Sequence, residues 1–442
     1  VGNGMAGVRT LEELRKIAPD MYDITVFGAE PHPNYNRILL SPVLAGEQTI
    51  DEIVLNPLSW YEEHGIRLHL GKKVVEIDRR RRIVRAADCT EEPYDRLLIA
   101  TGSNPFILPV PGKELEGVIA YRDIADTEAM IEAAKTRQHA VVIGGGLLGL
   151  EAANALRQLG LRPHVVEYNP RLMPQQVDEA GGEHLARMVG ELGIDVSLGV
   201  GTSNIEALDD GVLRVTLGED TVVDAALLVF AAGVRPRDEL GRLAELELAE
   251  RGGILTDLGC VTSDPAIYAI GEVAAIEGVC YGLVGPGYAT AEVVADRLLA
   301  GDAEFPGADL STKLKLLGVD VASFGDAHGR TPGALNVVVS DPINGTYSKL
   351  VLSDDASTLL GGILVGDASS YGLLRPLVGQ SLPGDPVSLI SPATDGAPAI
   401  GVGALGDDAQ ICSCNDVSKG TLCSAIENGA CFSPKNETYM GA

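Results

Sequence analysis

Residues 1–7 read VGNGMAG and residues 140–149 read AVVIGGGLLG. Both carry G-x-G-x-x-G after a strand-like stretch, with a helix-like stretch behind it (8–17, 150–159) and a second strand-like stretch beyond (24–27, 163–167). In that setting the spacing has a physical meaning. The first glycine (Gly2, Gly144) permits a tight turn, the second (Gly4, Gly146) lets the backbone approach a pyrophosphate, and the third (Gly7, Gly149) lets the helix pack closely. The helix N-terminus then faces the phosphates. One such loop is an ordinary glycine-rich turn as easily as a binding site. Two, each in strand–helix–strand context, predict an α/β chain with two Rossmann-like dinucleotide modules.

An acidic residue closing the second strand of each unit is placed to accept hydrogen bonds from an adenosine ribose. Glu30 after Gly28-Ala29 and Glu167 after Val165-Val166 hold those positions. Tyr168 and Asn169 follow Glu167, so a 2′-phosphate there would meet a carboxylate without an adjacent cation, which favours NADH; Arg171 keeps NADPH open.

Hydrophobic residues make up 45% of the chain and aromatic ones only 4%, a composition that suits helices packed tightly on parallel sheets. A length of 442 residues suggests about three domains. The formal charge of -28, from 62 acidic against 34 basic residues, repels nucleic acid and anionic membrane and leaves small molecules and proteins as partners. The basic run 79–82, between strand-like 73–77 and 83–85, reads as a solvated hairpin turn. No apolar stretch reaches the ~18–20 residues that cross a bilayer. Seven cysteines are too few for a disulfide scaffold in a chain this long, and no charged-then-apolar leader opens it. A cytoplasmic protein is expected, although Val1-Gly2 reads as the tail of a strand. Cys89, Cys260 and Cys280 stand alone and read as small buried hydrophobes.

Three further stretches resemble the two-dinucleotide flavoprotein family that includes glutathione reductase and the ferredoxin reductases of oxygenase systems. Residues 97–103 (LLIATGS) resemble its crossover toward the NAD region, 228–236 (LVFAAGVRP) its second crossover, and 264–272 (DPAIYAIGE) its late FAD motif. The order of motifs implies FAD on the first glycine loop and NADH on the second, with the NADH module inserted into the FAD module. On this resemblance FAD would be held by Gly2, Gly4, Met5, Ala6, Gly7, Glu30, Arg37, Ser41, Val75, Ala100, Thr101, Gly102, Gly271, Glu272 and Gly287. NADH would be held by Gly144, Gly146, Leu147, Leu148, Gly149, Glu167, Ala232 and Gly233. Glu272 stands where most of the family has Asp, and its longer side chain can still accept a ribityl hydroxyl. Gly285-Pro286-Gly287, before helix-like 288–300, would aim a helix N-terminus at the flavin. Hydride transfer between stacked rings needs positioning more than acid or base, so no catalytic side chain is expected. The loop 35–42 (YNRILLSP) has no cysteine, which speaks against disulfide or peroxide chemistry at the flavin.

A closer resemblance spans nearly the whole chain. GNGMAG (2–7), YNRILLS (35–41), GGGLLGLEAA (144–153), AIGE (269–272), STKLKLLGVDVAS (311–323), GGILVGDASSYG (361–372) and CSCNDVSKG (412–420) resemble the large-subunit family of assimilatory NAD(P)H-dependent nitrite reductases. It implies FAD, NADH and a small iron–sulfur domain similar to bacterioferritin-associated ferredoxin, with Cys412 and Cys414 as two of the four thiolates of a 2Fe-2S cluster. The family's other cysteine pair comes about thirty residues later, past the last residue of this chain, and Cys423 and Cys431 do not stand in its place.

The expected organisation is an FAD-binding domain at 1–115 and 245–312, an NADH-binding domain at 116–244, and an α+β domain at 313–390. A linker at 391–409 and part of a 2Fe-2S domain at 410–442 follow. The α+β stretch reads as short strands and one helix, with 313–320 and 347–352 the clearest strands. The expected function is NADH oxidation, with electrons passed through an iron–sulfur centre to a nitrite-reducing sirohaem and 4Fe-4S site beyond this chain. The electron-transfer subunit of an assimilatory nitrate reductase is the alternative; an NADH oxidase or peroxidase and a non-catalytic flavin redox sensor are further ones. Homo-oligomerisation is left open.

Overall fold

The computed structural model describes residues 1–316, 319–391, 406–407, 410–412 and 417–427. It divides into two compact units, Val1–Met173 with Val189–Asp309, and Pro174–Met188 with Leu310–Ala442.

In the first unit the second glycine loop sits on a five-stranded sheet in the order Val118–Ala120, Leu227–Phe230, His139–Ile143, Arg162–Glu167, Asp195–Leu198, parallel throughout. Residues 140–143 and 227–230 are buried without a break. Parallel strands covered on both faces require this, and it is why AVVI and LLVF are continuous apolar runs. Helix Leu147–Gln158 lays Leu150, Ala152, Ala153 and Leu156 into this core, the alanines permitting close approach. A three-stranded antiparallel sheet alternates instead, burying Leu213, Val215 and Leu217 of its middle strand.

The first glycine loop is laced into a second parallel arrangement. The Gly2 N–H donates to the Phe27 oxygen and the Ala100 N–H to the Val1 oxygen, both at 2.8 Å. Outside them, Thr25–Phe27 pairs with Arg67–His69, and Leu97–Ile99 with Ile267–Ala269. The chain therefore leaves this sheet after residue 99 and returns to it at 267. Ser103–Pro105 pairs antiparallel with Val234–Pro236, which brings the ends of the two crossover stretches side by side.

Several sequence expectations are corrected here. The glycine-loop helices begin at Met5 and Leu147, three residues before the expected starts, because Gly4 and Gly146 themselves occupy the N-cap. The late helix spans Val284–Leu298, so Gly285, Pro286 and Gly287 lie inside its first turn. A proline is tolerated there because its missing N–H would have had no partner in the helix. Arg79 is not merely solvated, since its guanidinium donates to Asp264 at 2.8 Å and to the carbonyls of Ala244 and Glu245. Only Cys260 is a buried cysteine of the three expected, and burial pushes its thiol up to about 12. Cys89 and Cys280 are exposed, one in the turn between hairpin strands and one on a two-residue edge strand.

The second unit is built on an antiparallel sheet in the order Thr312–Leu316, Val319–Gly325, Leu359–Gly366, Thr346–Leu352, Leu335–Asp341. Residues 313–320, read as one strand, form two antiparallel ones that place Lys315 opposite Asp320; residues 317–318 lie outside the described residues. The remaining strands are long, seven or eight residues each, and two short helices, Tyr371–Leu374 and Pro386–Ile390, accompany them. The expected single helix and short strands are thus replaced by a sheet whose core is Phe324, Leu350, Leu352, Leu359 and Leu364.

Pro174–Met188, from within the stretch expected to bind NADH, clusters with these strands. Asp178 accounts for it: Tyr347 and the buried Lys349 both donate to its Oδ2, at 2.8 and 3.1 Å. Burial raises the Asp178 carboxyl, but the Gly181 N–H, Tyr347 and Lys349 outweigh it and hold the group below the ordinary range. A depressed carboxylate contributes stability above its unfolded pKa and loses it as pH falls through the folded value. Asp178→Ala, which leaves the Lys349 ammonium buried without its counter-charge, is expected to cost about 3 kcal/mol at pH 7. The difference should shrink as pH falls below about 4, and urea denaturation across that range checks it.

Near the C-terminus, Gln410–Cys412 pairs with Val417–Ser418, and helix Lys419–Glu427 carries an exposed Cys423. The Cys412 side chain, all of Cys414 and Cys431 lie outside the described residues. Among the described residues no helix is long and apolar enough to cross a membrane.

Candidate functional site

The two glycine loops have one geometry. Gly2 and Gly144 adopt φ +112° and +117°, which L side chains rarely reach, and a Cβ on either would stand 2.1 or 2.4 Å from the backbone oxygen of Ala100 or Ala231. Gly7 and Gly149 are equally closed, with a Cβ 2.8 and 1.9 Å from the oxygen of the first glycine of their own loop. Gly4 and Gly146, by contrast, have ordinary backbone angles and no atom within 4 Å of an added Cβ. Each open glycine is the N-cap of its helix, with no side-chain cap and no acidic residue in the first turn. Each loop thus presents a helix N-terminus without a side-chain cap and empty space before it, a combination that fits a diphosphate.

Around the first loop, Ala6 is the contact point for the distant motifs: a Cβ on Gly271 or Gly287 would stand 3.2 or 3.5 Å from the Ala6 Cβ. Met5 opens the helix beside it. Ala100 packs on Gly2 and Gly7, the Thr101 hydroxyl donates to the Arg237 carbonyl at 2.9 Å, and the Gly102 oxygen accepts from the Arg237 N–H. Glu272 accepts from Ser103 at 2.9 Å and is ion-paired with Arg122. Glu30 accepts from Tyr35 at 2.7 Å and Arg37 at 2.5 Å. Burial raises the Glu30 carboxyl, yet Arg37 and the Tyr35 hydrogen bond bring it below its ordinary value. Val75 is an exposed residue of hairpin strand Val74–Asp78.

Arg122 and Arg237 were missed in the sequence. With Arg37, whose Nη1 donates to the Arg122 carbonyl at 2.8 Å, they gather three guanidinium groups beside the first loop. Burial lowers the Arg237 pKa, and the charges of Arg122 and Arg37 lower it further. Its side-chain hydrogen bonds go to Asn104 and the Ser103 carbonyl instead of to a carboxylate. Glu30 and Glu272 offset the charges of Arg37 and Arg122, and the Arg237 guanidinium that remains fits a bound anion. Arg237 had a sequence signal, since it directly follows the second crossover motif; Arg122 had none.

At the second loop, Leu147 and Leu148 open the helix and Gly233 takes φ +102° next to Ala232. Glu167 is buried, and its carboxylate accepts from the Gly145 N–H at 2.7 Å and from the Asn169 backbone and side chain at 2.8 and 2.6 Å. The carboxylate expected to face a ribose therefore also braces the loop. Ser41 lies in helix Leu40–Leu44, and its hydroxyl donates to Glu151 of helix Leu147–Gln158 at 2.9 Å and accepts from Tyr121 at 3.1 Å. Burial raises the Glu151 carboxyl. Ser41 thus ties two helices together, a role the sequence did not suggest. Among the described residues no cluster of His, Cys, Asp or Glu could hold a metal ion.

Residues 1–293 match the family model described as pyridine nucleotide-disulphide oxidoreductase, and residues 311–381 that of the rubredoxin NAD+ reductase C-terminal domain. The chain is 46% identical over 435 residues to the nitrite reductase NAD(P)H large subunit of Klebsiella oxytoca, covering 97% of this chain and 45% of that one. It is 38% identical over 432 residues to the assimilatory nitrate reductase electron transfer subunit of Bacillus subtilis, covering 97% and 55%. The chain spans about half the length of the curated relatives it matches. A ferredoxin reductase crystal structure from Rhodopseudomonas palustris superposes with a TM-score of 0.77 at 28% identity, covering 86% of this chain and 94% of that one.

Proposed function

Because this chain belongs to the pyridine nucleotide-disulphide oxidoreductase family, we propose that it is an FAD-dependent NADH oxidoreductase module that feeds electrons to a nitrite-reducing partner domain or subunit. The observation that carries this is the pair of matched loops, each closed at its first and third glycine and open at its second. FAD, when bound, supplies the capacity to accept a hydride and return electrons one at a time.

The residues divide that work. The first loop, Glu30 and Arg237 would hold FAD, the loop N–H groups and Arg237 meeting its negative charge and Glu30, oriented by Arg37, taking its ribose. Thr101, Gly102 and Glu272 would meet the remainder of FAD, with Glu272 accepting from a ribityl hydroxyl. The 144–149 loop and Glu167 hold NADH, and Ser41 with Glu151 keeps helix Leu147–Gln158 in place against helix Leu40–Leu44. FAD would fall to 1–115 and 245–309 and NADH to 116–173 and 189–244, with Cys412 and Cys414 offering two of the four thiolates of a 2Fe-2S centre.

The test is an absorption spectrum with flavin, iron and sulfide analysis before and after NADH. A yellow protein that NADH bleaches and that reduces a one-electron acceptor supports the proposal, and a colourless protein that refuses FAD sinks it. The 38% identical nitrate reductase electron transfer subunit favours a second reading, in which the partner is a nitrate reductase. Sirohaem in the co-purified complex supports the first and molybdenum the second.

Glu167→Arg is expected to lower the NADH-to-NADPH preference by about tenfold or more. Part of that change will be lost NADH affinity, since an arginine cannot accept from Gly145 and Asn169. Steady-state kcat/KM with both nucleotides measures it; an unchanged ratio would mean that this carboxylate does not meet the ribose.

A further inference from the structure

We propose that the ring of Tyr168 is the platform on which the adenine of NADH stacks, an inference that rests on reading the 144–149 loop as the NADH site. Tyr168 directly follows Glu167 at the end of strand Arg162–Glu167 and is 80% exposed, the one tyrosine among the described residues left largely in solvent. Its backbone is pinned on both sides. The Asn169 N–H and Nδ2 hold Glu167 Oε1, the Gly199 N–H donates to the Asn169 carbonyl at 2.9 Å, and the Val200 N–H to the Glu167 carbonyl at 3.3 Å. The ring lies beside Gly201, where a Cβ would stand 3.4 Å from its Cδ2. A large aromatic surface is therefore presented on a fixed backbone and covered by little of the protein.

The location selects the ligand. In a unit of this kind the acid at the strand end meets the adenosine ribose, and adenine is one glycosidic bond from that ribose. The residue just past the acid is within reach of the base. Adenine is flat and uncharged, so it needs a ring and not a cation, and a tyrosine has only two side-chain torsions to fix when it stacks. Truncating a ring that stacks on a nucleic-acid base typically weakens binding by tenfold or so.

The experiment uses the full chain with bound flavin, an artificial one-electron acceptor, and two reductants: NADH, and reduced nicotinamide mononucleotide, which has no adenine. Tyr168→Ala should raise KM for NADH about tenfold with kcat within about twofold, Tyr168→Phe should behave as the parent, and kcat/KM for the mononucleotide should not move in either. An unchanged KM for NADH in Tyr168→Ala, or an equal loss with the mononucleotide, overturns the platform while leaving the NADH site standing. A parent protein that oxidises neither reductant removes the NADH site itself, and the platform with it.

Discussion

Gly146→Val is expected to give a folded, yellow protein that NADH no longer bleaches. Gly146 has φ -83° and ψ -173°, extended backbone that valine adopts readily, and its added Cβ would touch no atom of the protein. The cost to stability should stay within about 1 kcal/mol. The same isopropyl group fills the space over the helix N-terminus that a diphosphate must enter, so the nicotinamide is displaced or never bound. A displacement of about 1 Å is enough for roughly 100-fold in rate, and at least that loss is expected in stopped-flow bleaching. Gly149→Val is the contrast, because its Cβ would stand 1.9 Å from the Gly144 oxygen, and it should fail to fold the module at all. A wild-type bleaching rate in Gly146→Val would take the second loop out of the NADH site.

What could be read from the sequence was what is set locally. The glycine pattern announced both loops because φ near +115° at Gly2 and Gly144, and backbone contact at Gly7 and Gly149, are demands that glycine alone meets. The apolar runs at 140–143 and 227–230 announced buried parallel strands. Features created by convergence were invisible. Arg37, Arg122 and Arg237 come from three distant stretches, and nothing in any one of them indicates the other two. Asp178 looks like an ordinary helix-leading acid until Tyr347 and Lys349 reach it. Residues 313–320 misled for a subtler reason: both strands of the hairpin are rich in Leu and Val, so the apolar pattern runs on where the backbone reverses.

Gly4→Val is the complementary experiment, and together the two variants test which dinucleotide each loop holds. Gly4, like Gly146, is an extended N-cap with no atom within 4 Å of an added Cβ, so the first module should still fold, while FAD binding is lost because the isopropyl group fills the space before the helix N-terminus that a diphosphate must enter. The purified variant should be nearly colourless. Its melting temperature must be compared with that of the deflavinated parent, since a cofactor present at about 1,000 times its Kd adds about 4 kcal/mol to apparent stability by mass action alone. Equal melting of variant and deflavinated parent, with little flavin bound, places FAD on the first loop. If Gly4→Val stays yellow while Gly146→Val loses its flavin, the two assignments are reversed. Arg237 would then need another ligand, for Arg37 and Arg122 are paired with Glu30 and Glu272 while the Arg237 side chain donates to Asn104 and the Ser103 carbonyl.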